Sequence, residues 1–452
     1  MDDALNSIVE FILSTSENSI PADVLEKSRD LIIDTLGCAI GGRVSRACAA
    51  SRSYPALPTP EGSGAVIGEA GDYPVEIAAF WNSAASRYLD FNDLYPPIGH
   101  PSDMIGALVA ASKPTRASGR RILAANAIAY EVFARLSETV LARRSMSLDY
   151  GYGICIGASA GLCHLYGLDR AATEAAIAMA ATSGIQLRAN RAGQLSDYKS
   201  VQTAVSAKDA VFFTLLARAG LTGPSAPFSG RHGIMELLDG KAAPLDIDSF
   251  DSWKIFGACL KYWPTTYNTQ ASVWAALKLR DIVSWEEIDK VTLFTSRFLH
   301  HESASEPAKW DPKTRETADH SLPYIFSRAM QHGTMNVGSY EPEAIADPQV
   351  RVLMNRLKVI VDEEIDAQWP ARIGLRLEAV TKDGAVHRVE SFDPLGHERN
   401  PMSAEDISRK FTTLVAPYLG ADLACKALEI AWRMDELKSF NDVLKALVPQ
   451  AA

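Results

Sequence analysis

Between residues 4 and 220 the apolar side chains recur three and four positions apart instead of alternately, and that period confines this half of the chain to helices. Leu5, Ile8, Phe11 and Ile12 place the first helix over residues 4–14. A second starts after Ser19 with Pro21 in its first turn, carries Val24, Leu25, Leu31, Ile32 and Leu36 as its stripe, and ends at Gly41-Gly42. The same spacing predicts helices near 75–90, 104–112, 118–140, 152–167, 170–184 and 203–220. Alanine-rich runs such as Ala158–Gly161 and Ala175–Ala181 put little bulk between neighbouring helices, so their backbones can approach closely. With no repeat period in the chain, this predicts a packed all-helical domain and not a solenoid.

The texture changes after Trp263-Pro264. Residues 290–296, 357–361, 373–380 and 386–389 read as strands, and Lys382-Asp383-Gly384 between the last two predicts a tight hairpin with positive φ at its turn. Ser403, with Asp406 three positions on, starts a return to helix. Ile407, Phe411, Leu414, Leu423, Leu428, Ile430, Leu437, Val443 and Leu447 carry that pattern onward, and these last helices are expected to pack back on the first domain. The fold class is therefore mostly α with a smaller α+β domain: residues 1–267 plus 403–452 form the large helical part, and 268–402 the smaller one.

Composition removes several functions. A net charge of -10, from 45 basic and 55 acidic residues, argues against broad binding to nucleic acid or anionic membranes. An anionic substrate then needs a local basic pocket. The acidic Met1-Asp2-Asp3-Ala4 start lacks the features of a signal peptide, and the apolar run Ile122–Val132 is broken by Asn126 and Glu131. A soluble cytoplasmic protein is expected. The six cysteines are scattered without zinc-ligand spacing and read as free thiols. His164 on an apolar helix reads as core, and His300-His301 lack a third ligand at a recognised spacing. Gly37, Gly41 and Gly42, and later Gly230–Gly233, spell neither a dinucleotide nor a phosphate-loop fingerprint. No metal and no cofactor are expected.

Three stretches hold residues that can carry chemistry. Residues 310–324 put Arg315, His320 and Tyr324 within ten positions in a run too polar for a core segment. Pro312 fixes a turn there, and Thr317 or Asp319 is placed to cap a helix beginning near Leu322. His320 then falls in the first turn, with Tyr324 four positions on and on the same face. Earlier, Pro96, Pro97, Gly99 and Pro101 force a loop that presents His100 after Asp90, and a folded-back loop lets Asp90 orient His100. A capping aspartate beside an exposed loop histidine is the plainer reading of that fragment alone. Third, Arg188, Arg191 and Lys199 can form a carboxylate pocket, with a solvated basic loop as the equal alternative.

Residues 310–324 resemble the signature of the 2-methylcitrate dehydratase (MmgE/PrpD) family, which also includes cis-aconitate decarboxylase and iminodisuccinate epimerase. The resemblance covers nearly the whole chain. Leu89–Asp93 and His100-Pro101-Ser102 resemble the family's Asp-Phe-Asp-Asp-Thr and His-Pro-Ser stretches, with Asn92 and Leu94 departing from it. Ser196-Asp197-Tyr198-Lys199 resembles Ser-Asp-Trp-Lys and puts Lys199 on the active-site lysine. Lys261 matches the Lys-x-x-Pro segment, where a histidine often follows; Asn268 or Gln270 stands near its place. Tyr150 likewise stands where the family often has histidine, and residues 396–402 resemble Gly-x-x-x-Asn-Pro-Met.

The resemblance implies a homodimer of chains with a large helical domain, an inserted lid, and a site in the cleft where Asp90, His100, Lys199 and Tyr324 converge. It implies a cofactor-independent hydro-lyase acting on a small hydroxy-polycarboxylate. A decarboxylase or an epimerase on a related acid is the alternative, because each stabilises a carbanion beside a carboxylate. A non-catalytic carboxylate-binding protein is the remaining one, motivated by Asn92, Leu94, Tyr150 and Asn268. In the first reading Lys199 and Arg188 or Arg191 bind carboxylates, His100 oriented by Asp90 is the base, and Tyr324 or His320 protonates the departing hydroxide. Lys261, Gln270 and Arg315 are further expected substrate contacts.

Overall fold

The computed structural model describes residues 2–53, 63–143, 147–191, 195–247 and 249–449. They form two compact units: Met1–Ala189 with Ser200–Ala258 and Ser403–Ala452, and Asn190–Lys199 with Cys259–Met402.

The first unit is helical. Its long members are Ala22–Gly42, Val75–Tyr88, Gly119–Thr139, Gly151–Tyr166 and Arg170–Ser183. Small residues set how close they come: a Cβ on Gly157 would stand 2.9 Å from the Ala129 carbonyl oxygen, and one on Gly161 2.7 Å from that of Ala125. The close approach read from alanine runs therefore rests at these two positions on glycine, one helical turn apart on one face. At the other end of the chain, Ser403 and Asp406 form a capping box that starts helix Ala404–Leu419. Phe411 of that helix lies against Gly37, whose Cβ would be 3.3 Å from Phe411 Cα. A buried ion pair, Lys410 Nζ to Asp34 Oδ1 at 2.6 Å, fastens the same two helices, and the ammonium also donates to the Phe91 carbonyl at 2.7 Å.

The second unit is built on a four-stranded sheet in the order Leu357–Val361, Ile288–Thr295, Gly374–Thr381, Val386–Phe392. The first pair is parallel, with Val291 opposite Leu357, and the other two are antiparallel, with Leu293 opposite Leu377. Alternate residues of the central strands, Val291 and Leu293, then Leu375, Leu377 and Ala379, enter a core shared with Ala275, Leu279, Ile325, Phe326 and Met330. Those last residues come from helices Gln270–Arg280 and Leu322–His332. The hairpin turn uses three residues: Thr381 N–H donates to Ala385 O at 2.9 Å, and Gly384 takes the positive φ of 89°. Only glycine adopts that region without a Cβ penalty.

The second unit begins at Cys259 and not at residue 268, and it takes in residues 190–199. Backbone pairing explains the first difference, because Leu260 N–H donates to Gly396 O at 2.9 Å and ties the segment to the end of the α+β part. Among the described residues no helix is long and apolar enough to cross a membrane.

Candidate functional site

In the first unit, helix Val75–Tyr88 delivers Arg87 in its last turn, and the chain then turns through Asp90 at a φ of 48°. That left-handed conformation is uncommon for a residue with a side chain, though aspartate tolerates it better than most. It brings the Asp90 carboxylate back onto Arg87, Nη1 to Oδ1 at 2.7 Å, with both side chains buried. Arg87 Nε also donates to Tyr150 Oη at 3.3 Å, and Asp103 Oδ2 lies 4.0 Å from the guanidinium.

His100 enters this group from the loop that follows. Its Nδ1 meets the Asp93 carbonyl oxygen, and since a carbonyl can only accept, Nδ1 carries the proton. When the ring is neutral its lone pair is then on Nε2, which lies 3.9 Å from Asp90 Oδ1. The loop is held by its own buried carboxylate. Asp93 accepts from Ser102 N–H at 3.1 Å, Ser102 Oγ at 2.5 Å and Tyr130 Oη at 2.8 Å. Burial nevertheless pushes the Asp93 carboxyl up to about 6. Asn92 donates to Ser102 Oγ at 2.8 Å and Asp103 Oδ1 at 2.9 Å, so the amide that replaces a carboxylate here gives the network a donor. Gly99, next to His100, has a φ of 117°, and a Cβ there would meet Phe133 at 2.4 Å.

The second unit gathers a different set. Lys199, buried at the start of helix Tyr198–Arg218, places Nζ 3.3 Å from Asp319 Oδ1 and 3.1 Å from His320 Nδ1. His320 Nδ1 and Asp319 Oδ1 are 2.5 Å apart. One carboxylate oxygen thus lies within hydrogen-bond reach of both the Lys199 ammonium and the His320 ring.

Other expected residues stand elsewhere. Tyr324 lies in the apolar core of the second unit, fully buried, and its hydroxyl donates to Ser339 O at 2.5 Å. It does not join His320: the helix begins at Leu322, as the sequence suggests, but with a different cap. Ser321 is the cap of Leu322–His332, accepting from Tyr324 N–H at 3.1 Å, while neither Thr317 nor Asp319 caps it. His320 therefore precedes the cap and lies outside the first turn. Gln270 is fully buried, and its amide is spent on the preceding turn, accepting from Trp263 N–H at 3.1 Å and donating to Trp263 O at 2.8 Å and Thr265 Oγ1 at 3.0 Å. That is a positioning role for the backbone of the preceding turn. Arg315 stacks over Tyr340 at 4.9 Å and reaches the Val337 carbonyl at 3.4 Å. Lys261 is fully buried, and Arg188 and Arg191 are half-buried on the short turn Arg188–Arg191. Asn268 accepts from Trp369 Nε1 at 3.3 Å.

The sequence reading missed Arg87, Asp103 and Tyr130, and gave Asp319 only a capping role. A signal existed for Arg87, which precedes Asp90 by three positions at a helix end, the spacing of a helical ion pair. Tyr130 sits in the middle of helix Gly119–Thr139, where nothing local marks its partner.

A model of the MmgE/PrpD N-terminal domain matches residues 6–245, and a model of the MmgE/PrpD C-terminal domain matches residues 263–436. The chain is 27% identical over 422 residues to a 2-methylcitrate dehydratase of Cupriavidus necator, covering 88% of this chain and 86% of that protein. It is 24% identical over 455 residues to a cis-aconitate decarboxylase of Mus musculus, covering 95% and 90% respectively. A mitochondrial 2-methylcitrate dehydratase of Yarrowia lipolytica is 26% identical over 445 residues, covering 90% and 84%. With both halves matched in order, the chain belongs to the MmgE/PrpD family.

Proposed function

We propose that this chain is a cofactor-independent lyase that removes water from a small hydroxy-polycarboxylate. The observation that carries the reading is the buried His100, whose Nδ1 meets the Asp93 carbonyl, which puts the lone pair of the neutral ring on Nε2. A base that abstracts a proton α to a carboxylate needs such a nitrogen and a counter-charge for the imidazolium it becomes. Asp90, 3.9 Å away, supplies that charge, and Arg87 holds Asp90 in place. Removing the proton puts negative charge on the neighbouring carboxylate, which needs a cation beside it, and by the family resemblance that cation is Lys199. Of the two expected donors to the departing hydroxide we favour His320, because the Tyr324 hydroxyl proton is engaged by the Ser339 carbonyl.

A second reading is favoured by the cis-aconitate decarboxylase among the similar proteins. Loss of carbon dioxide from an unsaturated tricarboxylate also leaves a carbanion that needs a cation and a proton donor. Mass spectrometry of purified protein incubated with 2-methylcitrate, citrate, cis-aconitate and longer alkylcitrates separates the two. Loss of water from a hydroxy acid supports the hydro-lyase, loss of carbon dioxide from cis-aconitate moves the assignment to decarboxylase, and an unchanged panel refutes both.

A further inference from the structure

The group around Lys199 has a second lysine close to it. Lys309, on the short helix Pro307–Trp310, is 5% exposed, and lysine is rarely buried to that extent unless paired. Among the described residues its ammonium has neither a hydrogen-bond nor an ion-pair partner. Its position is fixed from the backbone side. The Lys309 N–H donates to Glu306 O at 3.0 Å, and its carbonyl accepts from Ser321 Oγ, the hydroxyl that caps the helix immediately after His320. Burial lowers the Lys309 pKa, and the charge of Lys199 pushes it the same way, while Asp319, Glu306 and Glu302 oppose the shift without reaching ion-pair distance of it. The one carboxylate of Asp319 already serves Lys199 and His320.

We propose that Lys309 is a second carboxylate-binding residue, whose ammonium pairs with an anionic oxygen of a bound polycarboxylate beside the one held by Lys199. Two ammonium groups set near a single shared carboxylate leave positive charge that a ligand anion neutralises. A lysine exposed to only 5%, with no carboxylate of the described residues at ion-pair distance, keeps its charge for an anion from outside the chain. The assignment rests on the polycarboxylate reading given above.

Titration calorimetry with propane-1,2,3-tricarboxylate, which has no hydroxyl to lose, tests it on wild type, Lys309→Met and Lys309→Arg. The wild type is expected to bind, Lys309→Met to bind at least about tenfold more weakly, and Lys309→Arg to stay within about threefold. Lys309→Met is also expected to melt at the same or a higher temperature, because its ammonium holds no partner in the chain whose loss would cost stability. A structural lysine would give the opposite, so a Lys309→Met protein that melts lower or fails to fold overturns the proposal. Unweakened binding by Lys309→Met overturns it too, while leaving the polycarboxylate reading intact; absence of binding by the wild type removes both. In the wild type, the tricarboxylate is expected to slow acetylation of Lys309 by acetic anhydride, read by peptide mass spectrometry, and equal labelling with and without it counts against the assignment.

Discussion

His100 shows how much a single backbone contact can specify. The Asp93 carbonyl chooses the ring's tautomer, and the carboxylate of the same residue holds the loop through Ser102 and Tyr130. Replacing His100 with Gln keeps a hydrogen-bonding group but removes the proton acceptor, and kcat is expected to fall by about two to four orders of magnitude. Near-normal turnover would take His100 out of that role. Asp93 gives a pH signature of its own. Its folded carboxyl titrates near 6 and an unfolded one near 3.8, so between those values the folded chain binds a proton that the unfolded chain has released. Stability contributed at this position falls as pH rises through that window, and the cost is complete above about 6. Asp93→Asn carries no such charge, so its stability relative to wild type should improve by on the order of 3 kcal/mol from pH 4 to pH 7. Urea denaturation at each pH measures it, and a difference that does not change with pH would show that the carboxyl is not shifted. The residues around His100 were legible only in part. Asp90 and His100 stood out as polar groups at a helix end and in a proline-bound loop, whereas Tyr130 meets Asp93 across 37 positions, a pairing no local pattern encodes.

Element boundaries depend on which hydroxyl or carboxylate wins a cap. Three candidates crowd residues 317–321, and Ser321 takes the position because its side chain accepts from Tyr324 N–H while its hydroxyl donates to the Lys309 carbonyl. Two backbone groups are satisfied by one buried oxygen. Ser321→Ala is expected to cost about 1–3 kcal/mol, through the lost cap and the unsatisfied carbonyl. A thermal melt checks it, and a variant as stable as wild type would show that water replaces both bonds. The hairpin at 382–384 was legible because Asp-Gly forces a turn, yet the loop has three residues, since Thr381 and Ala385 close it and only Gly384 takes positive φ. Periodicity located every long helix of the first half but not the glycine contacts at Gly157 and Gly161, which belong to a neighbouring helix as much as to their own.

At the scale of the molecule, the first unit is closed by segments more than 350 residues apart in sequence. Phe411 packs on Gly37, and Lys410 meets Asp34. Phe411→Ala is expected to cost about 3–5 kcal/mol and to expose Ala404–Leu419 to limited proteolysis, and an unchanged urea midpoint would mean that this contact does not hold the chain end. The sequence by itself determined the helical first half, the four strands, the return to helix after Ser403, and the residue types on which the family resemblance rests. Each of these follows from periodicity, caps or short motifs, which act within a few residues. Only the tertiary structure decided that Tyr324 and Gln270 are spent inside the second unit, that Asp319 pairs with Lys199, that Arg87 holds Asp90, and that Lys309 is buried without a partner among the described residues. Those outcomes turn on which donor finds which acceptor once distant segments exclude water. That competition is settled by packing, and a local pattern carries no record of it.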